Sequence, residues 1–270
     1  MKRVARFVAL VLIAVWMLGP FAWQLLTSLK PARELTVLPP LWPSELTPSH
    51  YIAVFSQHPF LRIIANSALV AACATVLAVT FGALAAYALV KLNVRRAGVV
   101  LALVLAVSLF PPIANVSPLF ILINGLGLRD TLAALVIVYT GFALPLAIWL
   151  LADFFQRVPD EIHVAARIDG CGPLQAFYRV ILPLSGPGLA ATALLVFIFC
   201  WNEFLYALSF TATVAARTIP VEIALFPGLH EIPWGEIAAA SIIVTAPLIA
   251  LAALFHRRIV EGLAAGAVKG

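Results

Sequence analysis

Residues 63–90 read "IIANSALVAACATVLAVTFGALAAYALV", 28 consecutive positions without a charged side chain. No feature constrains the chain more. A helix needs about 20 apolar residues to cross the hydrocarbon of a bilayer, and in lipid the backbone must satisfy its own hydrogen bonds. Comparable charge-free runs cover 7–29, 97–128, 131–152 and 237–255, and another covers 180–202 and continues past a single Glu203 to 216. Hydrophobic residues make up 63% of the chain and charged ones 11%, against roughly 45–50% and 25% in ordinary soluble domains. The expectation is an all-α membrane protein in one domain, 1–270. Its spans are placed at about 7–29, 63–90, 98–124, 131–152, 188–210 and 236–256, with a polar connecting loop at 153–187 and a tail at 257–270.

Six spans put both termini on one side. That side carries Lys2, Arg3, Arg6, Lys91, Arg95, Arg96, Arg157, Arg167, Arg179, Arg257, Arg258 and Lys269, twelve of the 17 basic residues. Lys30, Arg33, Arg62, Arg129 and Arg217 fall on the other. Basic residues concentrate in cytoplasmic loops, so both termini and the 153–187 loop are expected in the cytoplasm. The net charge of +5 is then a topology signal, not the mark of a nucleic-acid partner. The first run is too long for a secretory signal core and lacks a small-x-small cleavage site; it reads as an uncleaved span. Cys73, Cys171 and Cys200 have no disulfide or metal-ligand spacing.

Prolines punctuate the spans at Pro20, Pro111, Pro112, Pro118, Pro145 and Pro247. Each removes a backbone donor and bends a helix. For "SLFPPIANVSP" two readings stand: ordinary helix packing, or a broken helix that lines a path. Glu203 lies about 22 Å into the fifth span, counting 1.5 Å per residue from Gly188. Charge at such depth is costly and faces a bundle interior or water. With Asn202 and Tyr206 it offers hydrogen-bonding groups and an aromatic face, suited to a sugar; a structural pair near the outer interface reads equally well. Asn115 and Tyr139 are weaker path candidates, and Asn66 and Ser67 read as path or cap.

The 153–187 loop interrupts the apolar chain with "HVAARIDGCGPLQAFYRVILPL". Pro159 and Asp160 predict a helix start, with a short helix from about Glu161 to Ile168 closed by Asp169 and Gly170. Gly172-Pro173 begins a second, in which Leu174, Phe177, Tyr178 and Ile181 form one apolar stripe. Pro183 is expected to stop it, and Gly186-Pro187-Gly188 to hinge into the fifth span. Helices this short do not stand alone in water, so they must dock.

"AARIDGCGPLQAFYRVILPLSGPGL" resembles the conserved cytoplasmic loop of permease subunits of bacterial ATP-binding cassette importers. "FCWNEFLYAL" and "HRRIVEGLAAGAVKG" resemble the carbohydrate branch, in particular the smaller permease of maltose- and trehalose-type systems. The resemblance implies a six-helix type I importer transmembrane domain with cytoplasmic coupling helices, in the bacterial plasma (inner) membrane. It implies an ATPase-coupling role for Ala165, Ala166, Ile168, Asp169, Gly170, Pro173 and Phe177. The motif's glutamate is replaced by Val164, for which Asp160 or Glu161 is a candidate substitute. The implied partners are a second, non-identical permease, two nucleotide-binding ATPase subunits, an extracellular sugar-binding protein, the sugar and membrane lipid. ATP and Mg would be bound by the ATPases. This chain carries no G-x-x-x-x-G-K-[ST] phosphate loop, and neither a cofactor nor a catalytic or metal site is expected in it. The small residues of "GLAAGAVKG" would let the tail insert, narrow and extended, between the ATPases. The alternative is a secondary transporter driven by an ion gradient, which would need ionisable relays in its spans.

Overall fold

The computed structural model describes residues 2–35, 40–92, 94–226 and 232–267, with side chains among these from Arg3 to Phe255. Four long apolar helices match predicted spans: α1 (Lys2–Leu29), α3 (Phe60–Lys91), α6 (Leu132–Gln156) and α13 (Trp234–Ala267). Pro20, Pro145 and Pro247 stay inside their helices.

The third and fifth spans are not continuous. The third divides into α4 (Ala97–Ser108) and α5 (Pro112–Gly125), bent by 86°. Pro111 and Pro112 supply no N–H to the carbonyls before them, so the helix ends there and restarts with proline in its first turn. The break anticipated at the double proline is observed, within the span expected over about 98–124. In the fifth, α10 (Gly186–Trp201) stops at Asn202 and α11 (Leu205–Phe210) begins after Phe204.

The predicted tail also differs. Helix α13 runs on through Ala267, so 262–267 of the glycine- and alanine-rich tail is helical, not extended; 268–270 lies outside the described residues.

The chain forms two compact units, residues 1–64 with 219–248, and 65–218 with 249–270. In the first, α2 (Ser49–Gln57) and α12 (Ile219–Ala224) accompany α1 and the adjoining parts of α3 and α13. Val54, Phe60, Phe226, Ala239 and Ala240 form its core. His58 stacks on Phe226 at 4.1 Å, with Glu222 and Glu236 each 3.5 Å from one of its ring nitrogens. The buried Lys30 closes the end of α1: its ammonium lies over Trp23 at 4.4 Å and donates to the Pro40 carbonyl at 2.6 Å. The apolar window of α1 itself is unburied.

In the second unit α6 is central, packed against α10, α4 and α11. Gly82 lets α3 approach α6 closely, since a Cβ there would lie 2.8 Å from the Ala147 Cβ. Small residues permit such crossings in membranes. Gly82→Val is therefore expected to destabilise the unit by about 1–3 kcal/mol, the usual cost of overpacking, read as a lower melting temperature of the purified protein in detergent. At one end of α6, Thr131 caps the helix by accepting from Ala134 N–H at 3.3 Å. The preceding Asp130, at φ 59°, accepts from Ala212 and Thr213 N–H at 2.8 and 3.0 Å and from the Thr213 hydroxyl at 2.6 Å. Desolvation pushes this carboxyl up, but those hydrogen bonds outweigh it and hold it below its ordinary value. Asn66 does not cap α3. It lies inside α3, and its amide nitrogen is within 3.0–3.2 Å of the carbonyls of Val214, Ala215 and Arg217.

Candidate functional site

The polar segment between α6 and α10 folds as α7 (Asp160–Ile168), α8 (Pro173–Ala176), a π-helical turn (Phe177–Ile181) and α9 (Leu182–Leu184). The last of these meets α10 at a bend of 81°. Gly170 ends α7 at φ 87°, with its N–H on the Arg167 carbonyl at 3.2 Å and Cys171 N–H on the Ala166 carbonyl at 3.0 Å. That pair of bonds is a Schellman closure. It aims α8 away from α7, and Pro173 starts α8 in the first helical position.

Three details depart from expectation. Asp160 does not cap α7; its carboxylate meets the Lys91 ammonium at 2.5 Å. The hydrogen bond and charge of Lys91 hold this carboxyl below its ordinary value. The single stripe is split: Phe177 and Ile181 are buried, whereas Leu174 and Tyr178 are 62% and 55% exposed. Phe177 and Ile181 pack against α3 and α6, whereas Leu174, one turn ahead of the π-helical turn, and Tyr178 face away from that core. Nor does Pro183 stop the helix. It sits in the first turn of α9, and the stop comes at Ser185.

The predicted coupling residues therefore fall into two groups. Ala166 and Phe177 point inward, Phe177 joining Ala83, Ala86, Tyr87, Leu151, Phe155 and Ile181 in one core. Ala165, Ile168, Asp169, Gly170 and Pro173 are exposed, Ile168 at 80%. With Ile162, Val164, Leu174 and Tyr178 they leave an apolar surface that none of the described residues covers.

Sequence reading missed what holds the segment in place. Lys91 donates to the Val158 carbonyl at 2.6 Å as well as to Asp160. One turn earlier the Tyr87 hydroxyl donates to the Pro173 carbonyl at 2.9 Å and lies 3.0 Å from His163 Nε2. A hydroxyl has one proton, so His163 must be the donor in that second bond. The only advance signal was a lysine ending an apolar run.

Burial first, then the charges of Lys91 and Arg167, push the His163 pKa below its ordinary 6.5, with Asp160 opposing. Folding thus favours the neutral ring. That contribution is present above the unfolded value and is lost as pH falls from 6.5 toward the lowered folded value. Hydrogen exchange of α7 amides should show protection that is flat around neutral pH, after correction for intrinsic rates, and weakens on acidification through this window. A His163→Gln variant should lack that dependence.

The predicted path residues meet where the two broken spans touch. Glu203 accepts from Tyr206 N–H and Ala207 N–H at 2.9 and 3.2 Å, capping α11 inside the span. The buried Tyr139 hydroxyl reaches the Glu203 carbonyl at 3.5 Å. Tyr206 is stacked on Phe142 at 4.5 Å, donates to the Pro112 carbonyl at 3.3 Å and contacts Asn115. Asn202 is exposed but turns its amide back to the Ile198 carbonyl at 2.7 Å. Four of the five thus form a joint between α11, α6 and α5, and Asn202 stands beside it.

A family model described as "Binding-protein-dependent transport system inner membrane component" matches residues 78–264, which include α7, α8 and both breaks. The chain belongs to this family. It is 43% identical to the trehalose transport system permease protein SugB of Mycobacterium tuberculosis, over 96% of this chain and 95% of that one. It is 41% identical to the trehalose/maltose transport system permease protein MalG of Thermococcus litoralis, over 100% and 98%. Against the sulfoquinovosyl glycerol transport system permease protein SmoH of Agrobacterium fabrum it is 40% identical, over 98% and 93%. The fold of this permease is that of a chain in a crystallised bacterial ABC transporter that imports the acidic polysaccharide alginate, with a TM-score of 0.78 at 23% identity and 96% coverage of both chains. The architecture, with four membrane-length helices and up to six spans if each bent pair is one, is thus a type I importer transmembrane domain.

Proposed function

We propose that this permease is the smaller of two non-identical transmembrane subunits of an ATP-driven importer. It translocates a sugar by alternating access, a disaccharide such as trehalose or maltose or a related oligosaccharide. An external sugar-binding protein delivers the substrate, and two ATPase subunits bind ATP and Mg and supply the energy; this chain catalyses nothing. The carrying observation is the exposed apolar face of α7 and α8, fixed at a set angle by the Gly170 turn. Such a face in water needs a protein groove to cover it. The basic residues around that segment favour its cytoplasmic placement, and with it both termini. The names of relatives matched over nearly the whole chain support a carbohydrate cargo.

The test is the reconstituted complex, with ATPase activity and uptake measured across a panel of disaccharides. Stimulation by one sugar, dependent on the binding protein, is expected. Accumulation by the permease without ATPases, or uptake that survives ATP depletion and collapses with an uncoupler, would overturn the reading in favour of an ion-driven carrier.

A further inference from the structure

Helix α3 is not a sequence neighbour of the α7–α9 segment, yet its last turns make the buried polar bonds to it. Lys91 and Tyr87 are four residues apart, so they share one face of α3. The Lys91 side chain is 2% exposed. Between them they grip the linker before α7 at the Val158 carbonyl, α7 at Asp160 and His163, and α8 at the Pro173 carbonyl. Tyr87 also lies 5.0 Å from the Phe177 ring, in the core that joins α3, α6 and the π-helical turn. The covalent routes are weaker levers: a three-residue linker from α6 at one end, and the 81° bend at Ser185 at the other. Swinging α7 and α8 relative to α3 would strip a buried ammonium and a buried phenol of their partners, which is expensive away from water.

We propose that Tyr87 and Lys91 are positioning residues that lock the docking segment to α3, making α3 the strut along which the segment's displacement enters the bundle. The inference rests on the coupling role proposed above. On this view the segment, α3 and the adjoining part of α6 move as one block. Bending is left to the two breaks, at 109–111 and 202–204, where backbone bonding is already interrupted.

The experiment uses the full reconstituted complex carrying Lys91→Met, Tyr87→Phe or Lys91→Arg. ATPase co-purification and basal ATP hydrolysis should stay near wild type in all three, because neither residue belongs to the exposed docking face. Sugar transported per ATP should fall about tenfold in Lys91→Met, within the usual range of a coupling between sites. It should fall less in Tyr87→Phe and recover in Lys91→Arg. If Lys91→Met fails to assemble, Tyr87→Phe, which removes only a hydroxyl, carries the same comparison. Transport and hydrolysis falling together, in proportion to assembled complex, would reduce both residues to a structural role and overturn the proposal. So would an unchanged ratio of sugar to ATP. A cysteine at Ile168 separates the two levels. Failure to crosslink it to an ATPase would sink the coupling reading itself; a crosslink with an unchanged ratio would sink only the lock.

Discussion

Gly170→Pro is expected to abolish uptake while leaving the protein inserted and its spans intact. Gly170 holds φ at 87° and gives its N–H to the Arg167 carbonyl. Proline fixes φ near −65° and has no N–H, a conflict worth about 3 kcal/mol or more in a helical setting. Helices of nine and four residues cannot absorb that, because short helices hold only through packing. The turn would reopen and the apolar faces of α7 and α8 would lose their common orientation. The spans do not depend on it, so membrane insertion, read by protease accessibility, should be normal. Gly170→Ala, which carries roughly 1–2 kcal/mol of left-handed strain, should retain partial uptake. Normal uptake by the proline variant would remove the turn from the mechanism.

The second large effect is expected at Glu203. Its carboxylate accepts from two backbone N–H groups at the start of α11, donors that the helix cannot satisfy itself. Glu203→Leu strands both donors, at about 1–3 kcal/mol for each unsatisfied buried group. The variant should melt at lower temperature and lose most transport. Glu203→Gln keeps an acceptor oxygen and should recover much of both, with the sugar KM unchanged. A raised KM with unaltered melting would instead make Glu203 a sugar ligand. Both carboxylate oxygens already accept one backbone N–H each, which gives Glu203 a structural task whether or not sugar also meets it.

The spans were legible because hydrocarbon imposes a length and excludes charge, and residues 7–29 and 131–152 state both plainly. The break after Ser108 was half legible. Two adjacent prolines announce an interruption, but charge-free composition on either side conceals its 86° angle. The α7–α8 turn was readable from Asp169-Gly170 and Gly172-Pro173, since each has a specific backbone demand. The inward or outward sense of Phe177 and Tyr178 was not. It depends on how the segment lies against α3 and α6, residues distant in sequence. Lys91 with Asp160, Tyr87 with Pro173 and Asn66 with Val214 were invisible for another reason. Each joins residues more than 60 positions apart, and sequence periodicity reports only on near neighbours.

The π-helical turn at Phe177–Ile181 also gives this chain slack in length at one point. Such a turn is an ordinary helix holding one surplus residue. A single-codon deletion at Arg179 would therefore be absorbed where it falls, the turn closing as regular α-helix with bonds from i to i+4. The same deletion a few residues on, inside α10, would have no such slack and would turn everything after it by about 100°.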